Sequence, residues 1–182
     1  MSRGMNKRAG VRSPESGLTL IETMVASVVL LVGVVAMMGM FGVAVSQNQD
    51  QGRLAVQTAT YCQNKLQELE SLHFLDSSTD TGTWPPSLSG GTGLCGAMLP
   101  GATATCGGID PSAPVSGFVD YLDADGNPVE GLAGAVFVRQ WEITTDATGT
   151  LKTITVFTRA IAPGPPPPPT FTLVATKTNK GT

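Results

Sequence analysis

Gly17-Leu18-Thr19-Leu20-Ile21-Glu22 opens an apolar run that continues to Val45, and Glu22 is the only charged residue within that run. Leu18–Val45 is 28 residues long. As a helix it reaches about 42 Å, more than the ~30 Å hydrocarbon core of a bilayer. It is also longer than the apolar core of an ordinary secretory signal, about 7–15 residues. A carboxylate inside such a span costs about 2.5–3.5 kcal/mol on insertion scales. A positive charge at the same depth would offset that cost. Cleavage after Gly17 would create one, the α-amino group of Leu18, one helical turn from Glu22. Arg3, Lys7, Arg8 and Arg12 precede the span, against the single acid Glu15. A basic flank of this kind keeps the N-terminus in the cytoplasm, so the rest of the chain is expected across the membrane.

Basic leader, Gly17, a hydrophobic residue, Thr-Leu-Ile-Glu and an uninterrupted span follow one another in order. This arrangement resembles the class III signal of type IV prepilins and pseudopilins, over about the first quarter of the chain. The resemblance implies that a membrane-embedded aspartyl peptidase, the prepilin peptidase, cuts between Gly17 and Leu18 on the cytoplasmic side. It also implies that the peptidase N-methylates Leu18. Glu22 then stands at the fifth mature position, where family members use the acid to meet a neighbouring subunit's terminal amine during assembly. Leu18 departs from the usual phenylalanine. A separate pull on Glu22 is the helix dipole, which favours an acid in the first turn by about 0.3–1 kcal/mol. That alone leaves an acid this deep in a membrane span unexplained.

The chain has 182 residues, enough for a helical anchor and one domain. The leader carries four of the 11 basic residues and one of the 14 acids. Without it, seven basic residues stand against thirteen acids, a formal net charge of −6. Phosphate binding needs clustered Lys and Arg, so nucleic acid is not an expected partner. Charged residues are only 14% of the chain, with 22 glycines and 13 prolines, which points to a loop-rich β domain after the helix. Of three cysteines, Cys95 and Cys106 share a Gly/Thr-rich loop and are the favoured disulfide. Pairing of Cys62 with either, or three free thiols, stays open at this point.

Gly33, Gly39 and Gly42 lie in the apolar span, where each weakens a helix by about 1 kcal/mol relative to Ala. They could loosen the helix or let other helices approach closely. Beyond the span, Ala55, Ala59, Cys62, Leu66, Leu69 and Leu72 recur at helical spacing, with Lys65, Glu68 and Glu70 at other positions. One helix is therefore expected to about Leu72, its apolar stripe against a sheet.

From Asp76 to Pro114 the chain is rich in Ser, Thr, Gly and Pro and is expected to be irregular. Gly91-Thr92-Gly93-Leu94-Cys95-Gly96 has the letters of a dinucleotide fingerprint without the strand before it or the helix after it. Strands are expected at Phe118–Leu122, Ala135–Thr145, Leu151–Ala162 and Thr170–Thr176. The prolines at 165–169 cannot donate to a sheet and should form a stiff connector. Asp123-Ala124-Asp125-Gly126-Asn127 reads first as a turn between strands. Its alternating oxygens make a weak calcium candidate of Asp123, Asp125 and Asn127 with Asp120 added, although Gly126 falls too early for an EF-hand. His73 is the only histidine, and no metal-ligand or nucleophile–base spacing accompanies it. No cofactor and no enzymatic activity are expected.

The strand order with the helix gives an α+β fold. By resemblance this is the type IV pilin fold, a long N-terminal membrane-spanning helix packed on an antiparallel β-sheet head. Arg139-Gln140-Trp141-Glu142-Ile143 and Lys152-Thr153-Ile154-Thr155-Val156 resemble the late strands of PilV-like minor pilins, the type IV pilus modification family. The implied organisation is leader 1–17, membrane and assembly half-helix 18–45, amphipathic half-helix 46–75 and β-rich head 76–182 with a variable loop 76–114. The implied role is a minor pilin that primes or modifies a type IV pilus. It would sit singly in the inner membrane with its head in the periplasm, partnered by prepilin peptidase and by other major and minor pilins. A type II secretion pseudopilin is the alternative within that architecture. A signal-anchored β-rich periplasmic binding protein is the alternative outside it. Terminal sequencing of the membrane-extracted protein separates these readings. Leu18 at the N-terminus is the expected result. Gln47 would indicate secretory cleavage after Ala44-Val45-Ser46, and Met1 or Ser2 an uncut anchor.

Overall fold

The computed structural model describes residues 19–82, 86–97, 101–161 and 167–179. The leader, the Gly17–Leu18 bond and Pro165–Pro166 of the proline run lie outside the described residues. The chain divides into two compact units, one ending at Gln47 and the other beginning at Asn48.

Helix α1 runs through Leu20–Ser71, 52 residues. It begins behind Thr19, whose carbonyl accepts the amides of Glu22 (3.0 Å) and Thr23 (3.2 Å). The loosening considered for the glycines is not seen, because α1 is unbroken through Gly33, Gly39 and Gly42. A glycine keeps both its amide and its carbonyl, and no proline removes a donor here. The last turn has no basic residue of its own. Lys177, from the last strand, donates instead to the carbonyls of Glu70 and Leu72. A cation thus meets the negative end of the helix from a neighbouring element.

Among the described residues six strands form one antiparallel sheet: β1 (Ala104–Gly107), β2 (Val119–Leu122), β3 (Pro128–Val129), β4 (Phe137–Thr145), β5 (Leu151–Ala160) and β6 (Thr170–Thr178). The order is β3-β2-β4-β5-β6, and β1 also pairs with β4. β2 takes the Phe137–Gln140 half of β4, and β1 takes the Glu142–Thr145 half. Between these halves the Trp141 amide and carbonyl bond to Phe118 and Gly108.

The β4–β5 register sets Trp141 opposite Val156 and Ile143 opposite Ile154. These four pack with Cys62 and Leu69 of α1 and with Leu94 and Phe118, all buried. A second cluster joins Leu122, Phe137 and Ala160, flanked by Leu54 and Tyr61 of α1. The long helix therefore packs its C-terminal half on an antiparallel sheet, an α+β arrangement. The buried helical face is Thr58, Cys62, Lys65 and Leu69. That corrects the expected stripe in two places, since Ala55 is exposed and Lys65 is inside. Lys65 lies at the same helical spacing as the apolar residues, three after Cys62 and four before Leu69, and finds carboxylates there.

The stretch expected to be irregular is ordered by main-chain bonds and contains a strand. Gly91, Gly93, Leu94 and Gly96 donate to the carbonyls of Ser78, Thr79 and Asp76. A Cβ on Gly91 would fall 2.2 Å from the Asp80 Cα, so only glycine fits that approach. The Gly91–Gly96 letters thus serve a close packing of two loop segments. Lys152 anchors the same region from β5: its ammonium donates to the carbonyls of Phe74 (2.6 Å), Leu94 (2.7 Å) and Gly96 (2.6 Å). All three of its donors are used. Burial pushes the Lys152 pKa down, against the upward pull of Asp76.

Cys95 and Cys106 form a disulfide that ties this loop to β1, with Cα atoms 6.6 Å apart. Cys62 is free and buried. The strand pairing of β1 with β4 and the Lys152 contacts hold the same region independently. Replacing both bridge cysteines by serine is therefore expected to lower stability by roughly 2–3 kcal/mol without changing the fold. Urea unfolding followed by circular dichroism checks this, with native strand content retained before the transition.

Candidate functional site

Glu22 lies in the first turn of α1. Helix geometry alone favours an acid there, because the turn's amides point toward it. Around it the helix is uncovered. Seventeen large apolar side chains from Leu20 to Val45 are exposed, among them Leu31 at 65%, Phe41 at 70% and Met40 at 77%. Thr23 and Ser27 turn their hydroxyls back to the carbonyls of Leu20 and Thr23, which hides their polarity along the helix. By length and composition this helix could cross a membrane.

In the second unit a buried ionic cluster joins helix to sheet. Asp120 of β2 and Arg139 of β4 face each other in register. The guanidinium donates to both carboxylate oxygens, Nε to Oδ1 and Nη2 to Oδ2, each at 2.7 Å. Lys65 of α1 brings its ammonium to 3.0 Å from Asp120 Oδ2 and 3.1 Å from Glu68 Oε2. The same ammonium donates to the Thr81 carbonyl and lies 4.3 Å from the Trp141 ring centre. Arg139 also donates to the Tyr61 carbonyl of α1 at 3.3 Å. Two cations and two carboxylates thus balance where water is excluded. Burial pushes the Glu68 carboxyl up from its ordinary range, and Lys65 partly opposes that.

The calcium candidates are not brought together as a set. Asp120 is committed to Arg139 and Lys65, a correction to its proposed place as an added ligand. Asp123 closes its own turn, accepting the amides of Asp125 (2.9 Å) and Asn127 (2.8 Å) and the Asn127 side-chain amide (3.1 Å). The Asn127 side chain first, and then its amide, holds the Asp123 carboxyl below the usual range. Asp125 stands exposed at the tip. Among the described residues no group of three or more His, Cys, Asp and Glu side chains is placed to hold a metal ion. His73 uses Nδ1 to accept the Leu75 amide at 3.2 Å, just past the helix end.

Sequence reasoning placed Lys65 away from the apolar stripe and treated Arg139 as an interruption of an apolar face. A cation on each of two facing stripes, with one acid alternating inward on β2, was the available signal for this cluster. No family model, curated protein or solved structure matches the chain.

Removing one partner of a buried ion pair strands the others, at a cost of about 3–5 kcal/mol. Asp120→Asn is therefore expected to destabilise the second unit by that order. Asp123→Asn in the exposed turn should cost much less. Thermal unfolding of the two variants side by side checks the contrast.

Proposed function

We propose that the chain is a structural subunit of a type IV pilin-like assembly, most specifically a minor pilin that primes or modifies a type IV pilus, and that it has no catalytic activity of its own. The observation that carries this reading is Glu22, the one charge in the apolar, exposed stretch of α1 that ends at Val45, four residues past a Gly17–Leu18 bond preceded by basic residues. In this proposal prepilin peptidase removes residues 1–17 and methylates Leu18. The subunit then rests in the inner membrane through Leu18–Val45, with the β-rich unit in the periplasm, before joining other pilins.

Two physical arguments support the proposal. An unpaired carboxylate in lipid is costly, so pairing with a terminal amine selects one register between neighbouring helices. The apolar surface from Leu20 to Val45 would be covered equally well by lipid or by other such helices, so a subunit can pass from one to the other. Gly33, Gly39 and Gly42 have no atom of the chain within 4 Å of where a Cβ would stand, outside the helix's own backbone, which leaves room for a partner helix to approach closely.

Glu22→Ala is the test in the producing cell. Leader removal is expected to continue at the normal rate, because the scissile bond is untouched. Incorporation into filaments should fall at least tenfold, read by immunoblotting of sheared filaments. Normal incorporation of the variant would contradict the proposal.

A further inference from the structure

Between α1 and the turn that joins β2 to β3 lies a groove of about 710 Å³. That volume falls within the ~300–1,000 Å³ of sites that enclose small molecules. Arg139 and Glu68 of the buried ionic cluster are part of its lining. Each already has its counterion, Arg139 in Asp120 and Glu68 in Lys65. The groove therefore offers a ligand no unspent buried charge of either sign. The one further charge on its lining, Asp125, is exposed to water at the turn, where a single ion pair contributes little. A charged ligand would lose its own hydration here without gaining a counterion.

What the groove does offer is hydrogen bonding in both senses. The Arg139 guanidinium has five N–H groups and spends three, on the two Asp120 oxygens and the Tyr61 carbonyl. Two donors remain on a residue that is only 8% exposed. The Glu68 carboxylate accepts bonds from Lys65 and keeps further lone pairs. Asn64 and Gln67, three residues apart on one side of α1, make no side-chain hydrogen bond among the described residues, and each amide both donates and accepts. The Tyr61 hydroxyl is likewise unbonded. Burial first, then Asp123 and Asp125, push its pKa up, so it keeps its proton. Pro86, Leu122 and Pro128 add apolar surface to the same lining.

A paired acid and base, two free amides and an apolar remainder suit a neutral molecule with several hydroxyls on a rigid ring. A hydroxyl donates and accepts at once. Neighbouring hydroxyls can therefore meet an N–H of Arg139 and an oxygen of Glu68 with no change in net charge, while the C–H face of the ring covers apolar surface. We propose that this groove binds a neutral pyranose sugar, with Arg139, Glu68, Asn64 and Gln67 hydrogen-bonding its hydroxyls. The inference is independent of the assembly role proposed above, since it concerns residues of the second unit alone.

Saturation-transfer NMR and titration of the full chain, in micelles of a zwitterionic detergent that contains no sugar, test it. The probes are the methyl glycosides of glucose, galactose, mannose and N-acetylglucosamine. At least one is expected to bind saturably at millimolar concentration, with transfer strongest to the C–H protons of one ring face. Asn64→Ala and, separately, Gln67→Ala are expected to weaken it at least threefold with the melting temperature unchanged, because both residues are exposed. Methyl glucuronide and methyl glucosaminide, which add a negative and a positive charge to the ring, should bind at least threefold more weakly than the neutral glycoside. Raising salt should leave the neutral glycoside unaffected. Absence of saturable binding by all four neutral glycosides would overturn the proposal. So would undiminished binding by both alanine variants, or tighter binding of either charged analogue.

Discussion

An apolar surface more than six helical turns long, left uncovered among the described residues, is the constraint on which the rest depends. Water penalises such a surface in proportion to its area, and contiguous exposed patches of this extent mark a membrane or an interface between chains. Two features follow. The polar atoms of that stretch must be satisfied internally, as helix hydrogen bonding and the turned-back hydroxyls of Thr23 and Ser27 achieve. The one group that cannot be satisfied in this way is the Glu22 carboxylate, which is why it carries the functional proposal.

The second unit solves a different problem. It holds the continuation of the same helix against a sheet. Apolar packing of Cys62 and Leu69 on Trp141, Ile143, Ile154 and Val156 supplies non-directional attraction. The Lys65–Asp120–Arg139–Glu68 cluster adds direction, because its bonds are met only when the helix has one rotation and one height on the sheet. Lys152 and Lys177 act similarly at the helix end, each ammonium bonding carbonyls from a segment far away in sequence. Three lysines thus anchor parts that contribute few apolar residues of their own.

Much of the fold was legible in the sequence because it is written in periodicities. The helix ends at Ser71 where Leu72 was expected, and β4, β5 and β6 begin or end within two residues of their expected bounds. What escaped was written in pairings between distant residues. β1 is four residues of Ala, Thr, Cys and Gly, recognisable only from the β4 edge that it completes. Strand β3 is Pro128–Val129, too short for any alternation to appear. Lys65 was assigned outward because charge argues for solvent, and only the tertiary fold brings Asp120 to it, beside its helical neighbour Glu68. The Gly33, Gly39 and Gly42 positions permit either a straight or a loosened helix, so local sequence could not choose. The candidate site divides in the same way. Glu22 stands out in one dimension, whereas the Lys65–Asp120–Arg139–Glu68 cluster requires α1, β2 and β4 to be brought side by side.

The most direct test of the central claim is to place single cysteines at Leu31 and Val56, two exposed positions on the same helix, in a chain otherwise carrying only its native cysteines. Labelling of intact membrane vesicles with a membrane-impermeant maleimide, from each side in turn, then reports what covers each position. Leu31→Cys is expected to be protected from both sides and to become reactive only after detergent and denaturant, while Val56→Cys reacts from one side. Equal labelling of the two positions in intact vesicles would mean that water reaches the apolar surface, and would contradict that claim.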